Sequence, residues 1–363
     1  MKSYKDGRKV DFQKIARSVG PEIVYSSGRS IVACGDSLSV LRSLPDASVS
    51  LILTDPPYHV TKKKNIKGDT DFSNDSHYLQ WMRSYYIEWK RVLKPNGALY
   101  CFCDSSMASR LDVMFQQDYN VLSHVVWTKP NLPGYDGWKG KMKKEALRQW
   151  YPHSERILFC EPACEGNLFR SFFGKTLRLL RENSGLSGHQ LTAKSGSYGK
   201  VNHGGAVSNW EAGRNTPSRD QYHKMCQAFL ETGRVKEVPY YEDLIRPFHT
   251  DKSKEFTDVW NFPSVKIYRG KHPAEKPVDL LVHAIESSTW DDDIVLDCFS
   301  GTGSTGISAL ALNRRVLLVD LERRWCDIAS RRLEGCERKK VVTLPYIRSL
   351  QGNDVTSQSE LTL

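Results

Sequence analysis

Apolar and polar positions follow two regimes along the chain. In the first, short apolar runs alternate with segments whose apolar residues recur every three or four positions. IVACGD (31–36) is an apolar run that closes on a turn, and SLSVLRSL (37–44) spaces Leu38, Leu41 and Leu44 at helical intervals. SVSLILT (48–54) is too apolar for a half-exposed strand, which predicts a strand buried on both faces. Residues 77–93 put Leu79, Met82, Tyr86, Trp89 and Val92 on one helical stripe. Lys94-Pro95-Asn96-Gly97 stops that helix, and ALYCFC (98–103) is the next strand. The alternation returns late, with DDIVLD (292–297) and RVLLVDL (315–321) as strands and TGISALALN (305–313) and RRWCDIASRRL (323–333) as helices. Strands alternating with helices predict a parallel α/β sheet.

Between these halves the pattern changes. Residues 130–148 are rich in Gly, Lys and Trp with weak periodicity and read as a loop. Residues 175–232 carry helical signals only, which predicts an inserted small all-α domain. The polar stretch from about Leu350 reads as a flexible tail. The expected division is 1–168, 169–238, 239–349 and 350–363: an α/β part, the helical insertion, a second α/β part and the tail.

Composition narrows the class. With 363 residues, 39% hydrophobic and 26% charged, the chain can bury a proper core, and disorder over most of its length is excluded. No apolar run approaches the roughly 20 residues of a membrane span. MKSYKDGRKV has no apolar segment after its basic residues, so a cytoplasmic protein is expected. Nine cysteines in such a chain read as packing residues, and no His/Cys pair follows Cys160 and Cys164 at zinc-site distance, so no metal is expected. Lys and Arg number 52 against 42 Asp and Glu, a net +10. From Lys129 to Glu237 there are 18 basic and 10 acidic residues, so +8 of the excess lies there. Such concentration fits a polyanionic partner or a solvated face.

Two motifs sit at strand ends. Asp55-Pro56-Pro57-Tyr58 directly follows SLILT. Its prolines fix φ and remove two donors, leaving carbonyls as acceptors beside a carboxylate and a ring. Such a corner can accept both hydrogens of an exocyclic amine while the ring stacks on the base; the same residues also make an ordinary turn. Asp297-Cys298-Phe299-Ser300-Gly301-Thr302-Gly303-Ser304-Thr305 is a glycine-rich strand-to-helix junction. Asp320 ends the next strand about 20 residues on, where an acidic residue grips a ribose, so an adenosine-bearing cofactor is expected. The loop lacks the phosphate-cradling pattern of an NTPase.

Together with His272-Pro273-Ala274-Glu275-Lys276-Pro277, these motifs resemble the amino-methyltransferases of DNA, and their order resembles the β group of bacterial and phage enzymes. GDSLSVLRSLPDASVSLILTDPPY (35–58), RVLKPNGALY (91–100), VVWTKPN (125–131) and HSERILF (153–159) extend the resemblance over about residues 30–165 and 255–335. Glu275 stands where Gln is commoner, and Asp320 where Glu is common. The resemblance implies a Rossmann-like, doubly wound, mostly parallel sheet of seven strands, the methyltransferase fold in permuted motif order, interrupted by the all-α domain as target-recognition region. It also implies S-adenosyl-L-methionine as methyl donor. Phe299, Gly301, Gly303 and Thr305 would line that cofactor and Asp320 would hold its ribose. Asp297 would serve the loop and the methionine amino group. His272, Lys276 and Pro277 would close the site, with Asp36 near the adenine ring.

The implied activity is site-specific methylation of adenine N6 in double-stranded DNA. Asp55 and the Pro56 carbonyl accept the N6 hydrogens, and Tyr58 stacks on the flipped base. Adenine rests on Asp55, since cytosine-N4 members usually carry Ser there; cytosine-N4 methylation and a catalytically inactive DNA-binding regulator are the alternatives. A homodimer and a cognate restriction endonuclease outside this chain are left open. Within the insertion, 177–196 and 206–225 resemble a phage-repressor-type helix-turn-helix, which would bring Ser208 or Asn209 to base edges. SYGKVNHG (197–204) lengthens its turn, so a helical bundle touching only phosphates is the other reading. Lys139, Lys141, Lys143 and Lys144 are candidates for phosphate contacts.

Overall fold

The structure is a computed structural model and describes residues 11–59, 72–129, 148, 150, 153–163, 171–197, 205–248, 256–339 and 341–351. These residues form two compact units.

The larger unit is built on one sheet. Its strands are β1 (Ile23–Ser26), β2 (Ser30–Cys34), β3 (Val49–Thr54), β4 (Leu93–Cys103), β5 (Tyr119–Thr128), β6 (Ser154–Pro162), β7 (Val259–Asn261), β8 (Ile294–Asp297) and β9 (Arg315–Asp320). They lie in the order β1-β2-β9-β8-β3-β4-β6-β5-β7. β2, β9, β8, β3 and β4 run parallel, and β6 is antiparallel to β4. The seven expected strands thus form the interior, and the described sheet has nine because short edge strands are added. β1 joins β2 antiparallel, and the three-residue β7 joins β5 in parallel.

The alternation of side chains along these strands produces two cores. Ile31, Ile52, Leu99, Leu158, Leu296 and Leu317 point to one face, where helices Phe12–Val19, Ser37–Ser43, Asp75–Val92 and Ala108–Phe115 cover them. Val32, Leu51, Tyr100, Ile157, Val295 and Val316 point to the other, under helices Val278–Ser288, Ser304–Ala311 and Arg323–Glu337. Both faces being covered is why all six residues of β3 are buried. The Asn74 side chain caps helix Asp75–Val92 by accepting from His77 N at 2.9 Å. Lys94–Gly97 does stop that helix, yet it lies within β4, where the register slips between the Val49–Leu93 and Leu51–Ala98 pairs.

The smaller unit spans Pro162–Pro247. Its described elements are helices Ser171–Ser184, Gly188–Lys194, Gly205–Glu211 and Arg219–Glu231 and the single turn Tyr241–Leu244. Leu177, Leu191, Val207, Trp210, Tyr222 and Phe229 form its buried interior. Capping boxes at Ser187/Gln190 and Ser218/Gln221 start two of its helices. Arg181 pairs with Glu211 at 2.5 Å. Among the described residues, no helix is long and apolar enough to cross a membrane.

Candidate active site

Open parallel sheets bind ligands beyond the carboxyl ends of their strands. Here β3, β8 and β9 deliver Asp55, Asp297 and Asp320 to one cavity of about 1340 Å³. Its wall also carries Asp36, Pro56, Pro57, Tyr58, His272, Lys276, Phe299, Gly301 and Thr305.

At the β3 end the corner is an ionic cluster. Tyr58 Oη donates to Asp55 Oδ1 at 2.6 Å and lies 3.0 Å from Glu155 Oε2. The Lys276 ammonium is 2.6 Å from Asp55 Oδ2 and 3.2 Å from Glu155 Oε2. It also rides over the Tyr58 and Phe102 rings at 5.3 and 5.1 Å. Lys129 completes the set, 2.5 Å from Glu155 Oε1. Burial pushes the Asp55 carboxyl above the usual carboxylate range against the pull of Lys276. Burial acts on Glu155 as well, but the two ammonium groups overcome it and hold that carboxyl at about 2. Glu155 and Lys129 were not singled out in the sequence. The available signal was a charge at the mouth of an otherwise apolar strand, in HSERILF and VVWTKPN.

At the β8 end the glycine loop is tied down from both sides. Asp297 accepts from Thr54 Oγ1 at 3.1 Å, Phe299 N at 3.1 Å and Thr305 Oγ1 at 2.6 Å. Burial nevertheless raises its carboxyl to about 7. Asp320 Oδ2 accepts from Gly301 N at 2.8 Å, and its Oδ1 from Glu322 N at 2.9 Å. A Cβ on Gly301, whose φ is +49°, would meet the His272 ring at 3.4 Å. That ring stands edge-on to Trp325. Burial lowers its pKa to about 4, so it is neutral, and with Nδ1 accepting from Ala274 N its proton sits on Nε2.

The HPAEKP segment is anchored from behind. Glu275 pairs with Arg332 at 2.9 Å and accepts from Ser304 Oγ at 3.0 Å. Gln351, placed by the sequence reading in a flexible tail, is buried; it accepts from Val278 N at 3.0 Å and donates to the Lys276 carbonyl at 2.8 Å. The packed chain therefore extends through at least this residue.

Two expected cofactor residues do not stand on the cavity wall. Gly303, at φ +80°, caps helix Ser304–Ala311, and a Cβ there would come 2.8 Å from that of Ala329, so its role is close packing. Pro277 is buried at the start of helix Val278–Ser288. Lys276 reaches the Asp55 corner itself. Asp36 caps helix Ser37–Ser43 through Ser39 N at 2.8 Å while facing the cavity. Phe299 packs on Tyr85 and Trp81, which share the wall. In the helical unit Ser208 is exposed, and Asn209 accepts from Arg214 Nη1 at 3.1 Å. Lys139, Lys141, Lys143 and Lys144 lie outside the described residues.

The wall fits an adenosine-bearing, zwitterionic ligand. Carboxylates stand at three strand ends, aromatic rings line the same wall, and Ser300 Oγ and Thr302 Oγ1 of the glycine loop are buried without a protein partner. A carboxylate corner facing a glycine loop across such a cavity is the layout of an enzyme acting between a cofactor and a planar amine. The chain belongs to the N6/N4 methylase family of DNA: the family profile, described as DNA methylase, matches residues 49–331. It is 38% identical over 315 residues to the type II methyltransferase M2.MboI of Moraxella bovis, covering 82% of this chain and 85% of that one. To the DNA adenine methyltransferase YhdJ of Escherichia coli (strain K12) it is 23% identical over 331 residues, 90% of each chain. Among solved structures, the PvuII DNA methyltransferase (cytosine-N4-specific) aligns with a TM-score of 0.52 at 16% identity, over 92% of this chain and 95% of that chain, a likeness of fold.

Proposed function

We propose that the protein transfers a methyl group from S-adenosylmethionine to adenine N6 in double-stranded DNA. The observation that carries this reading is Asp55, a carboxylate at the end of β3, facing the cavity beside the Pro56 carbonyl. The relatives point both ways on the base: one is named an adenine methyltransferase, and the fold neighbour is named cytosine-N4-specific. The choice of adenine therefore rests on a carboxylate standing where cytosine-N4 members usually carry Ser.

Bound in this cavity, S-adenosylmethionine supplies an electrophilic methyl group on sulfur. Asp320 at the β9 end suits its ribose hydroxyls, Asp297 its amino group, and the unpartnered hydroxyls of Ser300 and Thr302 its polar atoms. The N6 lone pair of adenine is delocalised into the ring. Accepting the N6 hydrogens at Asp55 and the Pro56 carbonyl favours the localised, tetrahedral nitrogen and stabilises the positive charge that develops on it as the N–C bond forms and the methyl–sulfur bond breaks, its electron pair returning to the sulfur of the departing thioether. The proton that N6 then gives up passes to the Asp55 carboxylate and on to water. Since N6 is paired in duplex DNA, the base must leave the helix, and the Tyr58 ring offers its stacking surface. The basic helical unit, with Ser208 exposed on its third helix, suits duplex contact.

The test is hydrolysis of DNA after incubation with the purified protein and labelled S-adenosylmethionine. N6-methyldeoxyadenosine as the labelled nucleoside is expected; N4-methyldeoxycytidine would replace the adenine reading.

A further inference from the structure

Asp55 is not alone with its substrate. Both of its oxygens are engaged, Oδ1 by Tyr58 and Oδ2 by Lys276. An ammonium held 2.6 Å away competes with a substrate amine for the same acceptor and dampens its negative charge. Glu155 touches every member of this arrangement except Asp55: Lys276, Tyr58 and Lys129 all lie within 3.2 Å of its two oxygens. It approaches from β6, antiparallel to β4, so its position is set by the sheet.

We infer that Glu155 is a positioning residue for methyl transfer: it shares the Lys276 ammonium and the Tyr58 hydroxyl with Asp55 and so weakens their hold on the carboxylate that must accept the target amine. This rests on the methyl-transfer reading above but is indifferent to which base is methylated. The charges agree with the role. Asp55 and Glu155 against Lys276 and Lys129 balance to zero, so a neutral amine enters a neutral cluster. If Glu155 were absent, two ammonium groups would face one carboxylate, and Asp55 would be the sole carboxylate partner of Lys276. The remaining ionisable groups around Asp55 are Tyr58 on its own corner, Asp297 on β8, and Cys101 and Cys103 on β4, the last two being thiols that burial keeps protonated. None replaces the charge of Glu155 beside Lys276.

The experiment compares wild-type protein with Glu155→Gln, Glu155→Asp, Lys276→Met and the Glu155→Gln/Lys276→Met double variant. Each is assayed for label incorporation into unmethylated plasmid DNA over a pH series, and for S-adenosylmethionine affinity by calorimetry. Glu155→Gln should lower kcat about 10- to 100-fold, with methyl-donor affinity within about twofold. It should also move the acidic limb of the pH–rate profile to lower pH, because the Glu155 charge is one of the influences holding the Asp55 carboxyl up. Glu155→Asp should restore part of the rate, and Glu155→Gln should cost little further in the Lys276→Met background. An unchanged kcat, an acidic limb that stays in place, or an equal loss with and without Lys276 would each overturn the inference. A shift to methylated cytosine in the product would revise the base while leaving it standing.

Discussion

The Lys276 ammonium lies 2.6 Å from Asp55 Oδ2, joining the HPAEKP segment to the DPPY corner. Two motifs far apart in the chain thus meet at one carboxylate.

If Asp55 stabilises charge on the attacking nitrogen, the loss must fall on the chemical step. Asp55→Asn keeps shape but removes the charge, and kcat should drop about 10²- to 10³-fold. Affinity for S-adenosylmethionine, measured by calorimetry, should stay within a few-fold. Equal losses in both would mean the residue only shapes the cavity.

Asp297 should make cofactor binding pH-dependent. Its carboxyl titrates at about 7 because it is buried, and a cationic amino group beside it favours the ionised form. The ionised fraction rises about tenfold from pH 6 to pH 8, so calorimetric affinity for S-adenosylmethionine should rise by up to that factor. Asp297→Asn should flatten the slope. His272, at about 4, does not titrate in this window. Without cofactor the sign reverses for stability. The folded state holds a proton that the unfolded chain releases near 4, so this group's contribution falls as pH rises toward 7.

Glu275 should matter to folding more than to chemistry. It is buried against Arg332, whose side chain is 10% exposed. Glu275→Gln leaves that guanidinium without its carboxylate and should destabilise the protein by about 3 kcal/mol in urea unfolding. Adding Arg332→Met should recover part of the loss; a further loss would show that Arg332 is held by its other partners, Tyr268 and the Thr302 and Leu350 carbonyls.

These residues also show what a linear reading can reach. The β3, β8 and β9 ends were legible because each is a buried apolar run closing on a polar turn, and Asp55, Asp297 and Asp320 follow from them. Helix Val278–Ser288 escaped because nine of its eleven residues are buried, which erases the polar stripe that marks a surface helix. Glu155 and Lys129 escaped because their meaning comes from strand order. β6 and β5 bring them to Asp55 only through the β4-β6-β5 edge, which no local pattern encodes. Gln351 opens a polar stretch, and polarity alone does not reveal a side chain whose hydrogen bonds are made inside the protein.

The basic excess between Lys129 and Glu237 should belong to DNA alone. Raising salt from about 50 to 200 mM should weaken duplex binding by tenfold or more, since each neutralised phosphate releases counterions. Affinity for S-adenosylmethionine should change by less than about twofold over the same range. Fluorescence anisotropy and calorimetry give the two numbers, and parallel salt slopes would contradict the division.

The central claim, methyl transfer to adenine N6 driven by Asp55, is tested most directly by single-molecule sequencing of unmethylated DNA treated with the purified protein and with Asp55→Asn. The account predicts N6-methyladenine signatures in a defined sequence context for the wild type and none for the variant. Signatures on cytosine, or adenine methylation that survives Asp55→Asn, would contradict it.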